Sequence, residues 1–200
     1  MVNDIREPKQ KRSIEKKERI IDAGWKLIST GGYYNTNTAE IAKAAGVSTG
    51  IVYQYFKDKH DILIAGLSKY GSEVFYPVIK LDNIDLNRNN VINMISDMID
   101  SYIDEHSISK DVHAEIMAMV HIDKEVASFF YNREIDLTNE LYNIFLNIGI
   151  DEDRLLEKVH IIIGLIDNLC HEVVYHRHTE MNYISMKEIV IDIIKKLILN

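Results

Sequence analysis

Apolar residues recur every three to four positions through most of the chain, with polar residues between them. This spacing is typical of amphipathic helices, and only two prolines and nine glycines interrupt it. The pattern therefore predicts an all-α protein. A helix is predicted to run from its start signal, Asp58 and Asp61, to about Phe75, before Pro77. The helices predicted after it lie at 91–105, 112–121, 124–150, 151–177 and 185–199.

The first predicted helix covers residues 13–30, with Ser13 as its N-cap and Gly31 and Gly32 as its C-terminal cap and turn. Lysines and an arginine occupy its polar side. The residues predicted to form its buried side are Ile14, Ile20, Ile21, Ala23, Gly24, Leu27 and Ile28.

A second, short helix is predicted to begin after Asn37, where Glu40 three residues later completes a capping box. Gly46 ends this helix in a tight turn, where a positive φ angle is wanted. Ser48 is predicted to cap a third helix over 49–56. Three helices joined in this way predict a helix–turn–helix domain.

The apolar residues between 41 and 56 fit the core of such a domain. Ala42 must be small because the following helix crosses close over it, and Val52 points back from the third helix into the shared core. The other residues predicted to complete this core are Ile41, Ala45, Val47 and Phe56.

The opposite side of the third helix carries small and polar residues. Gly50 and Gln54 lie four residues apart, across from Val52 and Phe56. A glycine inside an exposed helix costs about 1 kcal/mol relative to alanine, and the close approach of a DNA groove explains it best. A glutamine at this place bonds an adenine edge in a bidentate manner. For Tyr55, packing against the first helix is the open alternative.

Charge is distributed unevenly along the chain. The formal net charge is −8, yet residues 1–60 hold eleven Lys and Arg against seven Asp and Glu. Residues 61–200 hold twelve basic against twenty-four acidic side chains. We call residues 1–60 the head and residues 61–200 the body. A basic head followed by an acidic body indicates that only the head binds a polyanionic partner. A surface that is merely uneven is the alternative.

Residues 19–63 resemble the TetR family of bacterial transcriptional regulators. The matching segment reads RIIDAGWKLISTGGYYNTNTAEIAKAAGVSTGIVYQYFKDKHDIL. Asn37 stands where family members often carry threonine or serine, and asparagine caps a helix equally well. The resemblance implies a three-helix helix–turn–helix domain over residues 1–60 and a helical effector-binding and dimerisation domain over 61–200. It implies DNA contacts by Thr38, Ser48, Thr49, Gly50, Tyr53, Gln54, Tyr55 and Lys59.

Two late helices carry more apolar surface than burial on one side requires. Residues 161–166 are apolar almost all round, and the helix over 185–199, with Ser185 and Glu188 as a capping box, has a broad apolar face. Two such helices from each subunit predict a four-helix homodimer interface, through about 152–176 and 185–199. Burial of both helices inside one subunit is the alternative.

Methionine and aromatic residues of the second domain are candidates for the lining of an effector pocket, because methionine adapts its shape to lipophilic ligands. The acidic body favours a neutral or cationic effector over an anionic one. Ordinary core packing is the alternative for each residue. The candidates are Met94, Met98, Tyr102, Met117, Phe129, Phe130 and Phe145.

Cysteine and histidine usage gives little support to metal chemistry. Cys170 is the single cysteine, which excludes an internal disulfide and indicates a reducing compartment. His171 and His176 are five residues apart, off the spacing of three or four that places two ligands on one helical face. Together with His178 they leave metal sensing as an alternative. No cofactor and no metal are predicted.

The sequence predicts a regulator rather than an enzyme, because it contains no glycine-rich phosphate loop, GxSxG or HExxH motif. It shows no secretory signal and no apolar run long enough to span a membrane, so we expect a cytoplasmic protein.

The predicted function is a ligand-responsive repressor, released from a palindromic DNA operator by a small, mostly lipophilic effector. A helical protein-interaction module and an enzyme using the C-terminal pocket are the alternatives. Salt-dependent, sequence-preferring binding to duplex DNA would distinguish the repressor from the protein-interaction module. A cluster of ionisable groups in the interior would instead indicate the enzyme.

Overall fold

The computed structural model describes residues 10–75, 86–105 and 108–199, and within these ranges every regular element is a helix. The predicted all-α class is confirmed. Pro77 and residues 1–9 lie outside the described residues. A π-helical turn, Leu67–Gly71, follows α4. The helices are α1 (Lys11–Gly31), α2 (Thr38–Ala44), α3 (Thr49–Val52), α4 (Lys59–Gly66), α5 (Ser72–Phe75), α6 (Val91–Glu105), α7 (Lys110–Val120), α8 (Lys124–Asn147), α9 (Leu155–Tyr175) and α10 (Tyr183–Ile198).

The chain divides into two compact units. The first comprises Met1–Ser72 and Ile108–Phe130, and the second comprises Glu73–Ser107 and Tyr131–Asn200. The first unit therefore includes α4 and α7 together with the three helices of the predicted head. The boundary after residue 60 remains a prediction about where function divides.

Helices α1, α2 and α3 of the first unit enclose one apolar core. Ile20 and Ile21 of α1 are buried in it, and Val47 packs against its edge half-buried. The burial predicted for the helix–turn–helix residues is confirmed. Those buried are Ile41, Ala42, Ala45, Val52 and Phe56.

Two predictions for the start of α1 are wrong. The helix begins at Lys11 after Gln10, so Ser13 lies inside its first turn and is not its N-cap. Ile14 is 46% exposed, so it does not belong to the buried side of α1.

Trp25 is a core residue of the first unit that the apolar pattern does not single out. Its ring stacks on Tyr70 with a centroid separation of 5.9 Å. A Cβ on Gly66 would stand only 2.9 Å from the indole, so a glycine is needed where α4 passes Trp25.

The turns of the head follow the predicted geometry. Gly32 ends α1 with φ of 88°, and Gly46 ends α2 with φ of 66°, both in the left-handed region that favours glycine. The N–H of Val47 donates to the carbonyl of Ala42 at 3.0 Å, which closes the turn. The capping box of Asn37 with its third helical residue is also confirmed.

The second unit is built around α6, α9 and α10, which pack against one another. Ile95 and Ile99 of α6, Ile162 and Ile166 of α9, and Ile194 of α10 are among its buried residues. No helix in the described ranges is both long and apolar enough to cross a membrane.

Ser185 is not the N-cap of α10. The helix begins at Tyr183, and the side chain of Asn182 accepts a hydrogen bond from the N–H of Ser185. An asparagine three residues earlier serves the same purpose, and the helix boundary shifts accordingly.

Candidate nucleic-acid interface

Helix α3 is shorter than predicted. Only Thr49–Val52 is α-helical, and the N–H groups of Gln54 and Tyr55 then bond three residues back, as in a tighter turn. Ser48 caps the helix by accepting from the N–H of Ile51 at 3.4 Å, as predicted.

The outer side of this segment is open to solvent. Ser48, Thr49, Gly50, Tyr53 and Gln54 are all exposed. Beneath them, the inner residues of the same segment close over the core of the head. The sequence pattern therefore predicted correctly which side of α3 faces outward.

Gly50 has no structural reason to be a glycine. Its φ is not among the positive values, and a Cβ placed on it would meet only the Oγ of Ser48, at 3.9 Å. Alanine at this place would fit without strain and would favour the helix. The glycine therefore leaves space that nothing among the described residues uses.

Three of the predicted DNA residues are not fully presented to solvent, and Lys59 is one of them, since it is half-buried. Tyr55 is 7% exposed and belongs to the core of the head, so its ring packs inward. Thr38, at the start of α2, is half-buried. Contacts from Tyr55 or Thr38 to DNA remain predictions.

Lys59, at the first position of α4, directs its amine toward the α1–α2 loop. Its Nζ donates to the carbonyls of Tyr33 at 2.6 Å and Thr36 at 2.8 Å, and lies 4.2 Å from the centre of the Tyr33 ring. Two of its three N–H donors therefore serve the loop. A phosphate contact by Lys59 remains a prediction.

Helix α7 contacts the same loop through Glu115. The carboxylate accepts hydrogen bonds from the N–H of Tyr34 at 2.8 Å and of Tyr33 at 3.1 Å. A side chain on Gly32 would collide with it. The loop that precedes α2 is thus fixed by a residue more than eighty positions away, which no local sequence pattern indicates.

Four carboxylates surround His60 in the first unit. Its Nε2 lies 2.7 Å from Asp123, close enough for an ion pair although not at a hydrogen-bonding angle, and its Nδ1 lies 3.4 Å from Glu125. Asp58 and Asp61 of its own segment complete the group. Both are already engaged, because Asp58 caps α4 and Asp61 accepts from a backbone N–H.

Hydrogen bonds from the backbone N–H of Val126 hold the pKa of Asp123 below its usual range, and the nearby His60 adds to this effect. The carboxylate of Asp123 therefore stays ionised at neutral pH. Its second role is structural, since it accepts the first N–H groups of α8.

The histidines near the end of α9 do not converge on a metal site. His171 pairs with Asp167 at 3.1 Å, and His176 and His178 are exposed. Among the described residues, the group of ligand-type side chains that does converge is the one around His60. Burial raises the pKa of Cys170 to about 12, so its thiol stays protonated.

The candidate effector residues fall in both compact units, and the pocket remains a prediction. In the second unit, Met98, Tyr102 and Phe145 are buried and Met94 is half-buried. In the first unit, the half-buried candidates are Met117, Phe129 and Phe130.

Helices α9 and α10 expose an apolar face. Ile161, Ile189 and Ile193 are 54%, 59% and 38% exposed. Gly164 lies one turn from Ile161, and a Cβ on it would meet nothing within 4 Å. The opposite sides of both helices are buried in the second unit, and a dimer contact through the exposed face remains a prediction.

Comparison with known proteins shows that the head is similar to an established family. The sequence profile described as "Bacterial regulatory proteins, tetR family" matches residues 20–65. The HTH-type transcriptional regulator HbdR of Aromatoleum sp. (strain CIB) is 53% identical over 53 residues, which cover 26% of this chain and 23% of HbdR. The chain thus matches about a quarter of that relative's length.

Solved structures extend the likeness to almost the whole chain. SCO7518, a candidate transcriptional regulator of Streptomyces coelicolor A3(2), has a TM-score of 0.70 at 14% identity, covering 93% of this chain and 99% of its own. A candidate transcriptional regulator from Saccharomonospora viridis, in complex with choline, has a TM-score of 0.67 at 20% identity and covers 94% and 99%. At these identities the likeness concerns the fold.

Proposed function

We propose that the chain is a member of the TetR family of bacterial regulatory proteins, whose profile matches residues 20–65, and that it is a DNA-binding transcriptional regulator that responds to a small molecule. Its target is a palindromic operator, and its action is repression relieved by the effector. A protein with this target acts in the cytoplasm, where the chromosome lies.

The observation that carries the proposal is the outer side of α3. Gly50 is exposed, with no crowded neighbour and no positive φ to require it, while Gln54 lies beside it with its amide in solvent. A major groove explains both features, since it needs a thin helix and a side chain able to reach a base edge. Tyr53 and the hydroxyls of Ser48 and Thr49 are exposed around it, ready for phosphates.

The proposed regulator is a homodimer that pairs through α9 and α10. Ile161, Ile189 and Ile193 supply apolar area, and Gly164 allows a partner helix to approach closely. A two-fold axis between two heads matches a palindrome whose half-sites lie about 34–36 Å apart, or a multiple of this distance.

The effector is proposed to be a small, mostly lipophilic molecule bound by the second domain. The complex of the Saccharomonospora viridis protein with choline shows that a related fold accommodates a small molecule. An effector releases the operator only if it binds one spacing of the heads better than the other. We propose no catalytic role, since the relatives carry the names of transcriptional regulators.

The proposal is tested by selecting chromosomal fragments of the source organism with the purified protein and measuring their affinity across a salt series. We expect a palindromic consensus, and a logarithm of the binding constant that falls linearly with the logarithm of salt concentration. A random duplex is the control, and we expect it to bind at least about 1000-fold more weakly.

Absence of duplex binding at low salt, or equal affinity for consensus and random duplex, would contradict the proposal. In that case the helical interaction module becomes the better description, and its acidic partner would have to be a protein.

A further inference from the structure

Two lines of like charge run along α1, beside other charged residues such as Lys11, Glu15 and Lys17. Arg12, Lys16 and Arg19 follow one another at spacings of four and three residues, so they share one line along the helix, defined here as the basic edge. Glu18 and Asp22, four residues apart, form a second line, the acidic edge. The family resemblance and the exposed side of α3 do not account for this separation.

The acidic edge is partly neutralised by one lysine that follows α4. Lys69, in the π-helical turn after α4, places its Nζ 2.5 Å from Glu18 and 2.7 Å from Asp22, and the hydroxyl of Tyr70 donates to Asp22 at 2.6 Å. Hydrogen bonds to Asp22 and Glu18 raise the pKa of Lys69. Lys69 offsets one of the two carboxylate charges, so the acidic edge adds less negative potential elsewhere on the head than two unpaired carboxylates would.

The basic edge lies on the side of the turn between α2 and α3. The Nη1 atom of Arg19 stands 3.8 Å from the place where a Cβ of Gly46 would be. Gly46 belongs to the turn that leads through Ser48 into α3. The guanidinium thus lies beside the start of the segment proposed to enter the groove.

The basic edge has no partner among the residues that the structure describes. Arg12 and Arg19 are exposed and Lys16 is half-buried, and none of the three forms a hydrogen bond or an ion pair with any described residue. Glu15, which lies next to both arginines along the helix, pairs with neither of them. Cationic side chains that lie beside a nucleic-acid-binding surface and pair with no described residue are typical of contacts to DNA phosphates.

We propose that the basic edge of α1 is a second DNA-contacting surface, which binds backbone phosphates beside the half-site read by α3. The inference rests on the proposed function and adds a named surface to it. Arg12 and Arg19 are seven residues apart, or about 10 Å along the helix, so the edge lengthens the contact with the backbone. It contributes affinity without sequence preference, since phosphates are the same at every base pair.

The test compares two double variants of equal net charge. Arg12→Gln with Arg19→Gln removes the two arginines of the edge, and Lys110→Gln with Lys124→Gln removes two exposed charges of α7 and α8 in the same compact unit. Affinity for the selected operator fragment and for a random duplex is measured across a salt series by fluorescence anisotropy. Thermal melting of both variants checks that the fold is intact.

We expect the arginine variant to reduce the magnitude of the salt slope by about one to two, since each phosphate contact contributes about 0.9. Affinity at moderate salt should fall about tenfold or more, by the same factor for operator and random duplex. The lysine variant should keep the wild-type slope. Arg12→Lys with Arg19→Lys should restore most of the slope, because charge is what the phosphates require.

An unchanged slope in the arginine variant overturns the inference while the proposed function stands, provided the wild-type chain binds the operator. An equal loss in both double variants also overturns it, since net charge alone would then be the cause. If the wild-type chain binds no duplex at all, the proposed function and this inference fall together.

Discussion

The exposed side of α3 and the exposed face of α9 and α10 share one structural feature, an exposed helical glycine, and we propose a different partner for each. Each carries a helical glycine, Gly50 or Gly164, over which no side chain of the described residues packs. Around Gly50 the neighbours are hydroxyls and an amide, whereas around Gly164 and on α10 they are isoleucines. We propose that both glycines allow a partner to approach closely, and that the neighbouring side chains select a polyanion at α3 and an apolar helix at α9 and α10.

The largest effect is expected from charging the apolar face. Ile189→Glu places a carboxylate on the α10 surface that we propose meets its symmetry mate, where like charges cost several kcal/mol. The dissociation constant of the dimer should rise at least about 100-fold, as measured by sedimentation velocity. Ile184→Glu is the control, because Ile184 is 75% exposed on the first turn of α10 and lies off the line of Ile189 and Ile193. Equal dissociation by both variants would remove the face from the interface.

The proposed role of Gly50 is tested by replacing Gly50 with alanine and, as a control, by making the same replacement at a buried glycine of the same unit. Gly50→Ala should raise the unfolding free energy by about 0.5–1 kcal/mol, yet weaken operator binding about tenfold or more, since a methyl group added at a packed contact costs about 1–3 kcal/mol. Chemical denaturation and fluorescence anisotropy measure the two quantities.

Gly24→Ala is the matched control within the same head. A Cβ on Gly24 would collide with Ile62, so this variant should lose stability by about 1–3 kcal/mol and lose operator affinity only through unfolding. A Gly50→Ala protein that binds operator normally would show that no groove comes near α3.

A smaller effect is expected at the polar side of α3. Gln54→Ala removes the amide proposed to bond a base edge, and should reduce discrimination at one position of each half-site by about 1–3 kcal/mol. Binding to a set of single-base operator variants measures it. Retention of the full preference at every position would exclude Gln54 as a base reader.

The smallest effect on DNA binding is expected from replacing Lys59, because its amine already donates hydrogen bonds to two loop carbonyls. Lys59→Met keeps the apolar stem and removes both bonds, so stability should fall by about 1–2 kcal/mol. The salt slope of operator binding should change by less than one contact's worth, about 0.9. A slope change of a full contact with unchanged stability would assign Lys59 to the phosphates instead.

Local patterns predicted the head well because its determinants are local. The positive φ of Gly46, the capping box of Asn37 and the inward position of Val52 each depend on residues within a few positions. The errors lie at element ends. Ser13 and Ser185 are acceptable caps in principle, yet Gln10 and Asn182 precede the helices, because competing start signals within two or three residues differ little in free energy.

Several contacts could not be predicted because they join distant parts of the chain. Nothing in the sequence around Glu115 indicates that its carboxylate binds the backbone at Tyr33 and Tyr34. The inward turn of Lys59 likewise depends on where the loop carbonyls lie. A long flexible side chain has many rotamers, and only the assembled fold selects one of them.

By itself, the sequence determined the helical class, the helix–turn–helix and the side of α3 that faces outward, because these follow from periodicity and from glycine and capping residues in short range. Only the tertiary structure decided that α7 joins the head's compact unit, that Tyr55 packs inward, and that Lys69 pairs with Glu18 and Asp22 while the arginines of α1 pair with none of the described residues. Such outcomes depend on which surfaces meet, and burial and pairing are properties of the folded chain rather than of any segment.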